Sequence, residues 1–348
     1  MPWQRIIEGG GAGMRVLFWH LHTSYTNAFV AGRHEYLLPV DTAGDAGCRG
    51  LEGHDWPRAR GASWRELRGD PVDVVVLQRP GEIDVVHEMT GRRPGRDIPA
   101  VYLEHSVPGP DACRSIHPLA DSPDIPIVHV SDFNRLYWDS GRARTFVIHP
   151  GIPDPGLQYT GELDRIGVVI NDPVVHGRAA GTDLLPRFGR IAAVDVFGRG
   201  GNELIRSLAA DAGGVHAGGD LPPARLATEL ARHRVYLHPS RWTSLGFALL
   251  EAMQLGMPIV AVPGPGIARA VPTDVGVVSA DVDVLCHAVA DCMEDPELAR
   301  EMGARARRHA LVHYGHERFL RDWDDVLVEV AAGDGRERSL ATAERRLS

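Results

Sequence analysis

The sequence predicts an α/β protein made of two parallel-sheet domains, and three observations carry that expectation. The chain has 348 residues, about the length of two compact cores. Apolar runs such as Val72–Leu77 are continuous rather than alternating, as in strands covered on both faces of a parallel sheet. Such runs alternate with stretches of helical period, and Gly or Pro marks the changes.

Residues 1–13 lack an apolar signal core and end in Gly9-Gly10-Gly11-Ala12-Gly13, so they read as a flexible extension, with Met14 as an alternative start. Arg15–His20 is the first buried strand. It runs into a polar loop, His20–Asn27, where His20 and His22 fall on one side of an extended segment. No third ligand accompanies them, so polar lining of a binding site is expected rather than a metal centre. Tyr36–Val40 is the second strand, and residues 42–70 read as loop plus a short helix. Val72–Leu77 follows, then a helix around Gly81–Thr90 and a strand at Ala100–Leu103. Ile125–Val130 is another strand, with a helix starting at Asp132. Phe146–Ile148 leads into His149-Pro150-Gly151-Ile152-Pro153, and the breakers Pro153 to Gly156 place a domain boundary near 151–163. The first domain is thus expected at 14–152 and the second at 153–315.

The second domain opens with the strand Ile166–Ile170 and continues with Val194–Phe197, the amphipathic helix Pro222–His233 and the strand Val275–Val278. Asp283–Met293 and Pro296–His313 are closing helices. Residues 316–331 form an amphipathic helix carrying Phe319, Trp323, Val326 and Leu327. Residues 332–348 are charged and poor in apolar side chains, the composition of a disordered tail.

A net charge of -9 argues against a surface that tracks nucleic-acid phosphates. The chain holds no lysine, so all 37 of its Lys and Arg residues are arginine. Cys48, Cys113, Cys286 and Cys292 form no CxxC pair, which fits a reducing cytoplasm better than a zinc or disulfide framework. No apolar run approaches the ~18 residues that suggest a membrane span. Peripheral contact at the inner membrane face is the alternative to a purely cytoplasmic location.

The most informative stretch is His238–Ala261. Tyr236 and Leu237 close a strand, Pro239-Ser240 opens a loop, and Thr243 or Ser244 is placed to cap a helix bearing Leu249, Leu250, Met253 and Leu255. Gly256 stops that helix before the strand Pro258–Ala261. At the helix start, Gly246 lets a ligand approach the backbone. The amides of Phe247 and Ala248 offer an anion site suited to a diphosphate. Glu251 is placed to accept hydrogen bonds from ribose or sugar hydroxyls.

Pro239, Ser240, Gly246, Glu251, Ala252, Met253, Gly256 and Pro258 stand in the register of a known signature. The stretch resembles the C-terminal motif of the family-four retaining glycosyltransferases, which run Pro-Ser, Glu-Gly-Phe-Gly, Glu-Ala-Met, Gly-x-Pro-Val-Val-Ala. That resemblance implies the GT-B fold: two Rossmann-like parallel-sheet domains facing a cleft. It also implies transfer of a sugar from a nucleotide diphosphate, with a UDP- or GDP-sugar as donor and no cofactor or metal required. The acceptor would be a glycan, a lipid-linked molecule or a small molecule. The closing helix would pack back on the first domain.

Carried over residue by residue, the resemblance gives catalytic-site roles to His105, Thr243 and Glu251. His105 follows the strand Ala100–Leu103 and stands where the family places a histidine facing the sugar; Glu251 matches the second of two family glutamates. Ser244, Leu245, Gly246, Phe247 and Ala248 form the donor-binding loop and helix start. Arg178 and Arg199 are the candidate diphosphate cations, and the segment of His216 and Gly218 is the one that reads the base. The paired glycines of the loop after the first strand are missing and Asn171-Asp172 takes the place of a Gly-Arg pair; three further departures bear on activity. Thr243 replaces the first glutamate, Ala180 replaces a lysine that clamps the diphosphate, and Arg269 replaces another glutamate. These departures suit an alternative, a catalytically inactive relative that binds a nucleotide, glycan or partner enzyme. A GT-B-like sugar-nucleotide epimerase is a third reading.

Overall fold

The computed structural model describes residues 13–40, 48–109, 111–208 and 212–347, with side chains placed up to residue 333. The expected N-terminal extension lies, apart from Gly13, outside the described residues. The chain divides into two compact units. Unit 1 runs up to Gly151 and resumes at Glu317, and unit 2 is Ile152–His316.

Among the described residues of unit 1, seven strands form one parallel sheet. They are β1 (Arg15–Phe18), β2 (Glu35–Val40), β3 (Ala59–Ser63), β4 (Val74–Leu77), β5 (Ala100–Glu104), β6 (Ile127–His129) and β7 (Thr145–Val147). Their order is β3-β2-β1-β4-β5-β6-β7. β4 is buried along its whole length, as its unbroken Val-Val-Val-Leu run requires. β3 is a difference from the sequence reading, which has loop there. Its Ala-Arg-Gly-Ala-Ser carries no apolar run because it is an edge strand, paired only with β2. The expected loop after β1 is also shorter, since a helix begins at Thr23 and runs to Phe29.

The chain returns to unit 1 in a helix running His316–Leu347. Trp323 donates its indole N–H to the Tyr25 hydroxyl at 2.9 Å and packs edge-on against Phe29. Phe319 meets Tyr25 at 5.4 Å between ring centroids, and Asp324 bonds Arg33 and His34 at 2.9 and 2.8 Å. The backbone stays helical through 332–347, where low apolar content predicts disorder. That segment lacks residues to bury, but its Arg, Glu, Ala and Leu are strong helix formers.

Unit 2 repeats the strand pattern. β8 (Leu163–Val169), β9 (Ala193–Phe197), β10 (Val215–Gly219), β11 (His233–His238), β12 (Ile259–Ala261) and β13 (Val277–Val278) form a parallel sheet in the order β10-β9-β8-β11-β12-β13. Leu249, Leu250 and Met253 of the helix Phe247–Leu255 pack on one face with Tyr236; Val235 and Leu237 point into the core on the other. In each sheet the strand order reverses beside the first strand, between β1 and β4 and between β8 and β11. Open α/β sheets bind ligands at the carboxyl ends of the strands beside such a reversal.

Candidate functional site

In unit 2, the carboxyl ends of β8, β9 and β11 carry most of the residues singled out by sequence. β11 ends at His238 and leads through Pro239-Ser240 into the loop before the helix Phe247–Leu255. The N-cap of that helix is Gly246, with φ -76° and ψ 138°. The N-cap position falls to Gly246 rather than to the expected Thr243 or Ser244. Thr243 instead donates its hydroxyl to the Ser244 carbonyl at 2.7 Å. Leu245 turns into the core at 4% exposure.

Glycine at 246 is demanded neither by its dihedrals nor by its neighbours. A Cβ there would meet only the His238 ring, at an ordinary 3.7 Å. Burial pushes the His238 imidazole down to about 4, so the ring is neutral at pH 7. Glu251, half-buried one turn into the helix, has its carboxyl pushed up by burial. Tyr236, behind it on β11, has a buried hydroxyl with no hydrogen-bond partner among the described residues.

Between β8 and β9 stands a helix, Pro173–Ala180, interrupted at Gly177 by φ 45° and ψ -122°. Arg178 projects from its last turn, 77% exposed, and donates to Asp183 Oδ2 at 2.8 Å. Arg199 follows the turn after β9, where Gly198 has φ +109° and a Cβ would fall 2.6 Å from the Ile170 carbonyl. Its guanidinium bonds Asp172 at 2.8 Å, and its amide donates to Asn171 Oδ1 at 3.1 Å. The two arginines thus belong to different ion pairs. His216 is exposed on the edge strand β10, and Gly218 lies against the Phe197 ring, where a Cβ would clash at 2.7 Å. Arg269 is exposed on the short helix Ile267–Ala270.

Unit 1 presents a different set. Gln78, just past β4, donates its side-chain amide to the Trp19 carbonyl at 2.7 Å, so its Oε1 is the acceptor end. His105, just past β5, lies 2.9 Å from that oxygen through Nε2. Nε2 must therefore carry the proton, and Nδ1 is the acceptor of the neutral ring. Burial, then the nearby His22, holds the His105 imidazole well below its ordinary value. His22 and Tyr25 pack edge-on against it, each at 4.7 Å between centroids. His20 does not join this group as a pair with His22. It is fully buried, bonding the Gly50 carbonyl and Thr23 hydroxyl at 3.2 and 3.1 Å. Sequence reasoning missed Gln78, His238 and Arg241. For Arg241, the signal is its place directly after Pro239-Ser240.

Residues 193–309, all within unit 2, match the family model described as Glycosyl transferases group 1. No curated protein matches the sequence. Among solved structures, sucrose-phosphate synthase from Thermosynechococcus elongatus is similar with a TM-score of 0.72 and 14% identity, over 92% of this chain and 100% of its own. Anabaena HepE, solved with UDP and glucose, gives 0.65 at 16% identity over 91% of this chain and 100% of its own. A TarM variant from S. aureus, solved with Fondaparinux, alpha-GlcNAc-glycerol and UDP, gives 0.60 at 13% identity over 73% of this chain. The chain spans only 55% of the length of that TarM chain. Together with the two all-parallel sheets, these likenesses define the fold as that of the GT-B glycosyltransferases.

Proposed function

We propose that this chain is a retaining glycosyltransferase that moves a sugar from a nucleotide diphosphate to a glycan, lipid-linked or small-molecule acceptor. The observation that carries the reading is the start of the helix Phe247–Leu255. Its N-cap is a glycine that neither backbone nor packing requires. It follows β11 at the strand-order reversal, where α/β ligands bind. The match of residues 193–309 to a glycosyltransferase model supports it, as do the UDP complexes of HepE and TarM.

In this mechanism no side chain need attack the sugar. As the bond to the diphosphate breaks, negative charge grows on the leaving phosphate and positive character on the sugar ring. The Phe247 and Ala248 amides and the helix dipole stabilise the phosphate, with Arg178 and Arg199 as supporting cations. Glu251 accepts from ribose hydroxyls. The backbone around His216 and Gly218 contacts the base. Thr243 is assigned to the donor sugar. In unit 1, the neutral His105, held in one tautomer by Gln78, is suited to accept from a sugar hydroxyl. The chemistry proposed needs no metal, and a cytoplasmic location with peripheral membrane contact fits a lipid-linked acceptor. No helix among the described residues is long and apolar enough to cross a membrane.

Calorimetric titration with UDP, GDP, ADP and dTDP, comparing wild type with Glu251→Ala, tests the reading. One diphosphate should bind selectively and more weakly to the variant. Absence of binding to all four would overturn the donor site. One observation favours a second reading, the inactive binder: the Thr243 hydroxyl, where the family has a carboxylate, is turned onto the Ser244 carbonyl. A protein that binds one diphosphate but neither transfers nor hydrolyses the corresponding sugar would be that binder.

A further inference from the structure

A diphosphate site in this chain lacks the family's lysine, and position 180 cannot replace it. Ala180 is 3% exposed and packed in the unit 2 core. The neighbouring loop brings a different cation. The amides of Arg241 and Trp242 both donate to the Ala179 carbonyl, at 2.8 and 3.2 Å, which fastens the loop after β11 to the end of the kinked helix. Gly181 permits that approach. It has φ +77°, and a Cβ would lie 2.0 Å from the Pro239 carbonyl oxygen.

Arg241 then reaches across the junction. Its Nη1 donates to the Arg178 carbonyl at 2.8 Å and to Asp183 Oδ1 at 2.6 Å, and its Nη2 donates to Asp183 Oδ2 at 3.0 Å. Arg178 donates to the same Oδ2 at 2.8 Å. Two guanidiniums thus share one carboxylate, leaving a net positive cluster. Burial raises the Asp183 pKa, but Arg241 and then Arg178 hold it below its usual range. The arginines differ in freedom, with side chains 30% exposed for Arg241 and 77% for Arg178.

We propose that Arg241, oriented by Asp183, is the fixed second cation of the diphosphate site, standing in for the missing lysine, and that Arg178 is its mobile partner. The proposal rests on the donor reading above. Arg241 lies five residues before Gly246 on the same loop, so its charge and the helix-start amides are carried together. The five N–H groups of a guanidinium allow it to hold Asp183 and a phosphate at once, and its fork matches phosphate oxygens in pairs. Asp183 is a positioning residue that acts through Arg241.

The test is titration of the full chain with inorganic pyrophosphate and, separately, with UDP, GDP, ADP and dTDP. Arg241→Gln, Arg241→Lys, Asp183→Asn and the Arg241→Gln/Asp183→Asn double variant are compared with wild type, and melting curves check each fold. Wild type should bind pyrophosphate and one nucleoside diphosphate. Arg241→Gln should weaken both at least tenfold, and Arg241→Lys should restore only part, since an ammonium has charge but no fork. Asp183→Asn should weaken binding in wild type and no further in the Arg241→Gln background, whereas a merely structural role would weaken it equally in both. Unchanged pyrophosphate affinity in a folded Arg241→Gln or Arg241→Lys protein overturns the proposal, as does a wild type that binds no pyrophosphate. A nucleoside diphosphate bound equally by wild type and Arg241→Gln would remove the proposal and keep the donor reading. Pyrophosphate binding lost with Arg241, without recognition of any nucleotide, would do the reverse.

Discussion

The two sheets follow the same order over six strands, with β7 added at the edge of unit 1, yet the groups at their strand ends are chemically opposite. Unit 1 presents neutral, hydrogen-bonding rings, with His105 bonded to Gln78 and packed against His22 and Tyr25. Unit 2 presents a glycine-started helix and a doubled arginine on one carboxylate. A shared topology therefore fixes where ligands approach, while the strand-end residues decide which charge is welcome. Neutral imidazoles suit hydroxyl-rich groups, and guanidiniums with a helix dipole suit phosphates.

The contrast can be broken most severely through stability. Trp323→Ala removes a 1%-exposed side chain and its bond to Tyr25, and should cost about 3–5 kcal/mol. If the units melt separately, calorimetry should show the transition of unit 1 falling and that of unit 2 unmoved. A common shift would mean that the two unfold together.

Acid acts on both units alike, which sharpens the comparison. Burial, first of all, lowers His129 in unit 1 to about 4, and burial does the same to His238 in unit 2. The unfolded imidazole takes up its proton near 6.5, so each site favours folding above that pH. The contribution is lost as pH falls from about 6.5 to 4, and each site accounts for about 3 kcal/mol over that window. Replacing either with Asn should flatten the measured stability–pH slope there, and an unchanged slope would show that the ring is not buried neutral.

Smaller effects separate the two sites. Glu251→Ala should weaken diphosphate binding roughly tenfold, about 1.4 kcal/mol, by removing a carboxylate acceptor. Gln78→Ala should leave that affinity untouched. It frees the His105 tautomer and should cost about 1 kcal/mol of stability, seen as a small fall in melting temperature and a changed His105 ring signal by NMR.

The difference between the units also explains what was legible in the sequence. The core strands of both sheets announce themselves through unbroken apolar runs such as Val74–Leu77, while edge strand β3 has no such run to show. The Gly246 helix start and Glu251 are local features of one loop and helix, so spacing along the chain exposes them. The Arg178–Asp183–Arg241 cluster joins residues up to 63 positions apart, and only the register between loop and helix brings them together. Gln78 and His105 are separated by 27 positions and meet because β4 and β5 are neighbours. The lack of apolar residues in 332–347 speaks to burial and not to helix propensity.

The most direct test is a crystal structure of the full chain with the nucleoside diphosphate that titration selects. Phosphate oxygens should lie within hydrogen-bond distance of the Phe247 and Ala248 amides, with Glu251 on the ribose hydroxyls. A nucleotide bound away from that helix start would contradict the assignment of unit 2 as the donor site.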